Sequence, residues 1–195
     1  ANTKEVRNQI ASIKGTQKIT SAMELVAASK MKKTQDGMLE GRPYSEKIKD
    51  VIAHIATSSS EYSHPFYEER TPKKACFIVV SSDKGLCGGL NINVFKAAVA
   101  SMKDFRDANV EIDFCVIGKK AARFFSNYGG NVIAAVDSIG DAPEVSDVIG
   151  SVRVMLDKFD NGEIDQLMVV SNTFVNTMTQ QPTIEQLLPL LPSEE

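Results

Sequence analysis

The stretch Ser81–Leu90, SSDKGLCGGL, holds the residues of this chain best suited to chemistry. It falls between an apolar run and a helical pattern, where a nucleotide fold places the loop that wraps a phosphate in backbone N–H groups. Its glycines, Gly85, Gly88 and Gly89, do not follow G-x-G-x-x-G, and no G-K-[ST] closes the loop, so the match to a phosphate cradle is weak. Two other readings compete: a tight strand-to-helix turn, and a surface loop that meets another protein. Cys87 would lie near a helix N-terminus, a position that depresses a thiol pKa, which makes it the candidate reactive cysteine.

Elsewhere the reactive residue types are scattered. His54 and His64 stand ten residues apart, in no spacing suited to a metal or a nucleophile. Asp83 and Asp137 fall at the C-terminal ends of predicted strands, where α/β enzymes keep catalytic groups, but no acid, base or nucleophile accompanies them. They read as turn or cap residues. Cys76, Cys87 and Cys115 are odd in number and lack metal or redox spacing, and Cys76 and Cys115 sit inside apolar strand patterns, so the expectation is three reduced thiols. No set of residues qualifies as catalytic, cofactor-binding or metal-ligating.

The elements that must position the loop form an α/β pattern. Ala75–Ser82 is a near-continuous apolar run, as expected of a strand buried on both faces of a parallel sheet. Asn91–Ala108 follows as a helix, Val110–Ile117 as a strand, Lys119–Tyr128 as a short helix ended by Gly129-Gly130, and Asn131–Val136 as a strand. Glu144–Asp160 is a helix with Val148, Val152, Met155, Leu156 and Phe159 on one side, Gln166–Ser171 a fourth strand, and Phe174–Gln186 the candidate for an added edge strand. Successive βα units imply right-handed crossovers and a doubly wound, Rossmann-like, mostly parallel sheet with flanking helices. The expected division is a long N-terminal helix over 1–57, a polar connector over 58–74, the α/β domain over 75–190 and a terminal connector over 191–195.

The N-terminal helix carries a narrow apolar seam: Val6, Ile10 and Ile13, then Ile19, Met23, Val26 or Ala27, and Met31, resumed by Tyr44, Ile48, Val51, Ile52 and Ile55. Steps of three and four suit a coiled-coil neighbour, although the step of six from Ile13 to Ile19 breaks a strict heptad. Gly15, Gly37, Gly41 and Pro43 argue against a uniform rod, with a kink or break expected near Gly41-Arg42-Pro43. Burying about eight seam side chains would contribute on the order of 12–24 kcal/mol as an upper bound, while an isolated helix is marginal, so the seam implies a partner.

The formal net charge of −3 conceals an asymmetry. Residues 1–57 carry ten Lys/Arg against six Asp/Glu, a balance of +4, which leaves −7 for the remainder. Lys30, Lys32 and Lys33, with Lys14 and Lys18 behind them, form either a solvated helix face or an interface with an acidic surface. Nucleic acid is a weaker candidate, because no aromatic residue interleaves with the lysines. Each exposed pair contributes only about 0.2–1 kcal/mol, so the charges steer more than they hold. No run of 18 apolar residues occurs, and the N-terminus lacks the apolar core of a signal peptide, so no membrane insertion is expected and the chain is placed on the cytoplasmic side.

Three stretches resemble the gamma subunit of bacterial F-type ATP synthases: IASIKGTQKITSAMELVAASKMKK (Ile10–Lys33), SSDKGLCGGLNINVF (Ser81–Phe95) and VVSNTFVNTMTQQPT (Val169–Thr183). The resemblance implies a non-catalytic rotor shaft without cofactor, whose N-terminal helix is half of an antiparallel coiled coil inside a hexamer of alpha and beta subunits. Its α/β domain would lie against the epsilon subunit and the c-subunit ring, at the cytoplasmic face of the bacterial inner membrane. The shaft would couple proton flow to ATP synthesis in beta and regulate ATPase activity. Residue by residue, Met23 matches a methionine beside an acidic lever loop of beta, with Lys30 and Lys33 nearby, while Lys84, Gly85, Leu86 and Cys87 match a loop facing the same region.

One departure is large: the family's C-terminal helix is not in this sequence, which implies a truncated chain or a proteolysed fragment. The seam of such a chain would fold back on the domain or pair with a second copy. The inserted cysteine pair of redox-regulated chloroplast members is also not seen. A nucleotide-binding enzyme using Gly85–Gly89, and a coiled-coil adaptor for an unrelated acidic partner, are the rival readings.

Overall fold

The computed structural model describes residues 2–58, 64–140 and 143–190, the side chains of 53 and 55–58 aside. Internal contacts divide the chain into two units, residues 1–50 and 51–195.

The first unit is helical throughout, formed by most of α1 (Thr3–Ser58), a 56-residue helix. The break expected near Pro43 does not occur: the helix runs through it, although the proline has no N–H for the carbonyl of Leu39. A Cβ added at Gly15, Gly37 or Gly41 would meet nothing within 4 Å, so these glycines relieve no crowding and leave the helix weaker than alanine would. Thr16, Thr20 and Thr34 each donate a hydroxyl to the carbonyl four residues back, at 2.8–3.1 Å.

In the second unit five strands form one sheet in the order β3-β2-β1-β4-β5. They are β1 (Lys74–Val80), β2 (Glu111–Ile117), β3 (Asn131–Val136), β4 (Gln166–Asn176) and β5 (Thr179–Leu188), joined in part by α2 (Leu90–Asp107), α3 (Lys119–Tyr128) and α4 (Val145–Asp160). The first four strands are parallel and β5 pairs antiparallel with β4. The edge strand starts later than expected, because Phe174–Asn176 continues β4 and the chain turns at Thr177-Met178.

Alternation along the strands builds two cores. Ala75, Phe77, Val79, Phe114, Val116 and Val170 face one way and pack with Val94, Phe95, Ala98 and Met102 of α2 and Phe125 of α3. Cys76, Ile78, Cys115, Ile117 and Leu167 face the other and pack with Met155 and Phe159 of α4. Burial on both faces explains why β1 reads as an unbroken apolar run. Two chain reversals use left-handed residues: Asn109 at φ +58° after α2, and Gly129 at φ +83° after α3.

The connector is more structured than its polar composition suggests. A 3-10 turn, Pro65–Tyr67, puts Phe66 against the α4-side core, and Leu190 N–H returns to the Phe66 carbonyl at 2.7 Å. Arg70 donates to the Phe159 carbonyl at 2.8 Å and lies over the Phe159 ring at 4.7 Å, closing the C-terminal end of α4 with a cation. Asp165 accepts the N–H groups of Lys73 and Lys74 at 2.8 and 3.0 Å, fixing where β1 begins.

Beyond Val170, β4 leaves its neighbour β1 and continues with β5 alone, so residues 171–183 form a two-stranded overhang with Met178 90% exposed at its turn. Its base is tied to the body where Asn172 Nδ2 donates to the Leu90 carbonyl at 3.2 Å.

Candidate functional site

The loop after β1 is held from three sides. Ser81 donates its N–H and its hydroxyl to the Ile117 carbonyl at 2.8 and 3.2 Å, and its Oγ accepts Ala121 N–H at 2.8 Å. That approach requires Gly118, at φ +95°, because a Cβ there would sit 2.2 Å from the Ser81 carbonyl oxygen.

Asp83 Oδ1 accepts Lys119 N–H at 2.9 Å and Ser138 N–H at 3.2 Å, tying the loop to the segments after β2 and β3. These N–H groups, that of Lys119 foremost and that of Gly140 with them, hold its carboxyl below the usual aspartate range. Asp83 is thus the turn-organising residue that its strand-end position suggested. Asp137 is exposed.

Asn91, in the first turn of α2 and buried, completes the arrangement. Its Oδ1 accepts Ser82 N–H at 3.0 Å, and its Nδ2 reaches Ser82 Oγ at 2.9 Å and Cys87 Sγ at 3.3 Å. The polar atoms of Ser81, Ser82, Asp83 and Asn91 are turned onto one another. Leu86 points outward, 94% exposed at φ +62°, with Gly88 at φ +58° behind it. A loop that satisfies its own polar groups and displays a leucine at its tip suits contact with a protein better than the wrapping of a phosphate.

Sequence reasoning located the loop but missed Asn91. Its signal was an amide one position inside a helix and nine residues after a strand-end serine, which spacing alone does not distinguish from a surface asparagine. Cys87 is half-buried three residues before α2, while Cys76 and Cys115 are fully buried. Burial raises both buried thiols, Cys115 to about 11 and Cys76 further, the latter with its sulfur 3.2 Å from that of Met155. His64 Nδ1 accepts Phe66 N–H at 3.3 Å and so serves the 3-10 turn. Among the described residues no group of three or more His, Cys, Asp or Glu could hold a metal ion.

Within the other unit the seam residues Val6, Ile10, Ile13, Ile19, Met23 and Val26 are all 41–67% exposed, and Lys30 and Lys33 are exposed on the same helix. Among the described residues no helix is long and apolar enough to cross a membrane.

Comparison with known proteins adds two findings. A family model described as ATP synthase matches residues 2–195. Among solved structures, the chain is similar to one from the Tetrahymena thermophila mitochondrial ATP synthase, central stalk and c-ring, at 22% identity and TM-score 0.59, covering 88% of this chain and 72% of that one. Two from the Euglena gracilis mitochondrial ATP synthase, a rotor in rotational state 1 and an assembly of OSCP, F1 and c-ring in rotational state 3, match at 13% identity and TM-score 0.60. Each match covers 96% of this chain, and 64% and 58% of theirs.

Proposed function

The chain belongs to the gamma-subunit family of the ATP synthases, and from that premise we propose that it is the central rotor shaft of an F-type enzyme. It performs no chemistry itself. Its 1–57 helix serves as shaft, 58–74 as connector and 75–190 as the body that couples to the proton-driven parts, with 191–195, outside the described residues, leading onward. The partners are the alpha and beta subunits as a hexamer, the epsilon subunit and the c-subunit ring, at the cytoplasmic face of a bacterial inner membrane.

The observation that carries this reading is the exposed seam of α1. A helix with three glycines and a proline inside it has little intrinsic stability to spare, so residues such as Ile13 and Ile19 gain their stabilisation from an apolar neighbour. Met23 with Lys30 and Lys33, and the loop Lys84, Gly85, Leu86 and Cys87, are the proposed contacts to beta. A shaft that touches three beta subunits differently stabilises a different conformer of each, which is how a non-catalytic part shifts nucleotide affinities.

The test mixes this chain with purified alpha, beta and epsilon subunits and measures co-elution and ATPase activity. Assembly that depends on the chain, with activity lowered by Met23→Lys, is expected. Failure to co-elute with alpha and beta refutes the reading.

A further inference from the structure

Beside the Leu86 loop lies a cleft of about 380 Å³ between the loop, α2 and α3. Ile92 and Phe95 of α2 and Phe124 of α3 form an apolar lining, the two phenylalanine rings stacked at 4.6 Å. Across from the loop stand Lys120 and Arg123, one helical step apart on the same face of α3. Both are exposed, no carboxylate lines the cleft, and no ion pair joins either cation to a described residue.

This concentration of positive charge is out of keeping with its surroundings, since residues 58–195 carry a net −7. An anionic partner is repelled by most of the body and drawn to this one place. The mixture of cations above and aromatic carbon below selects a chain segment rather than a small anion. Carboxylates pair with Lys120 and Arg123 while an apolar side chain enters against Phe95 and Phe124.

We propose that this cleft is a docking groove for an acidic peptide segment of a partner protein, anchored by one apolar side chain, with Lys120 and Arg123 as its charge-reading residues. The inference rests on the proposed role of the Leu86 loop as a protein contact, and extends it to a second wall, on α3.

The probe is a fluorescein-labelled synthetic peptide of alternating Asp and Ser around one central Leu, with a second peptide carrying Ser in place of that Leu. Binding to the whole chain is followed by anisotropy at low salt. The Leu peptide binds the unmodified chain. The double variant Lys120→Glu/Arg123→Glu weakens binding about tenfold or more, the milder Lys120→Gln/Arg123→Gln weakens it less, and the peptide without Leu binds more weakly. Circular dichroism checks that these variants remain folded. Lys30→Glu/Lys33→Glu on α1 leaves the affinity unchanged.

Equal affinity for the charge-reversed variant, equal affinity for the two peptides, loss of binding in the α1 variant, or no binding to the unmodified chain at millimolar peptide each overturns the proposal. Subunit assembly is read separately. Peptide binding without assembly sinks the rotor reading and spares the groove, and the reverse result sinks the groove alone.

Discussion

Replacing Asn91 with alanine tests whether the loop is held by one amide. The substitution removes two neutral hydrogen bonds of good length, to Ser82 N–H and Ser82 Oγ, and a weaker one to Cys87 Sγ. Each neutral bond contributes about 1 kcal/mol net, and the half-buried Ser82 N–H left without a partner adds part of a penalty of about 1–3 kcal/mol. The expected loss is about 2–3 kcal/mol, which raises the open fraction of the loop by about 30- to 100-fold, at about 1.4 kcal/mol per tenfold. The cysteines supply the assay. Cys87 sits inside the loop and is half-buried, whereas Cys76 and Cys115 are sealed in the sheet, so a thiol reagent reports loop opening at one site and unfolding of the sheet at the other two. Asn91→Ala accelerates labelling of Cys87 at least tenfold, with a smaller effect on Cys76 and Cys115. The rise stays below the full factor because Cys87 is already partly accessible. An unchanged Cys87 rate together with an unchanged urea midpoint refutes the latch. Equal acceleration at all three sites shows instead that Asn91 stabilises the body as a whole.

Four further outcomes are expected. Gly118→Ala destabilises by more than about 2 kcal/mol, since its Cβ meets the Ser81 carbonyl oxygen at a positive φ, whereas Gly15→Ala, with open space and helical backbone, stabilises by up to about 1 kcal/mol; urea melts for the first and helical circular dichroism for the second check them. Asp83 has a folded pKa below its unfolded value, so its contribution is fully present above the unfolded pKa, near 3.9, and is lost as pH falls through the folded one. Asp83→Asn therefore flattens the acid limb of stability against pH and exposes the amides of Ser138 and Gly140 to hydrogen exchange at neutral pH. Ile13→Lys, at a site already 67% exposed, changes the stability of the chain alone by less than about 0.5 kcal/mol but abolishes co-elution with alpha and beta subunits. Met155→Ala, fully buried against Cys76, costs about 2–5 kcal/mol in urea denaturation.

The order of elements was legible because the body alternates apolar runs with helical spacing, and each βα unit then follows from chirality. The α3 and β3 boundaries match the expected ones, and the others shift by one or two residues apart from β4 and β5. Those two strands were misjudged because polar residues from Ser171 to Thr183 pair with each other outside the sheet, where no buried face imposes alternation. The connector was misjudged for a different reason: Phe66 and Arg70 act through contacts with residues some 90 positions later, which local composition does not register. Exposure of the α1 seam was anticipated from the want of a matching apolar face. The inward-facing hydrogen bonds of the loop were not, because Asn91 and Gly118 acquire their roles only when β1, β2 and α3 converge.

The overhang of β4 and β5 makes this body a cantilever. A two-stranded ribbon bends easily across its width but resists stretching along its strands, so a load applied at Met178 travels down β4 toward Val170, beside β1. Part of it is diverted at Asn172, whose amide grips the carbonyl of Leu90 at the start of α2. The loop bearing Leu86 hangs from the same two anchors, the end of β1 and the start of α2. Displacement of the ribbon tip and displacement of the loop are therefore felt by the same few backbone atoms, and the two outermost apolar side chains of this body, 94% and 90% exposed, share one mechanical fulcrum.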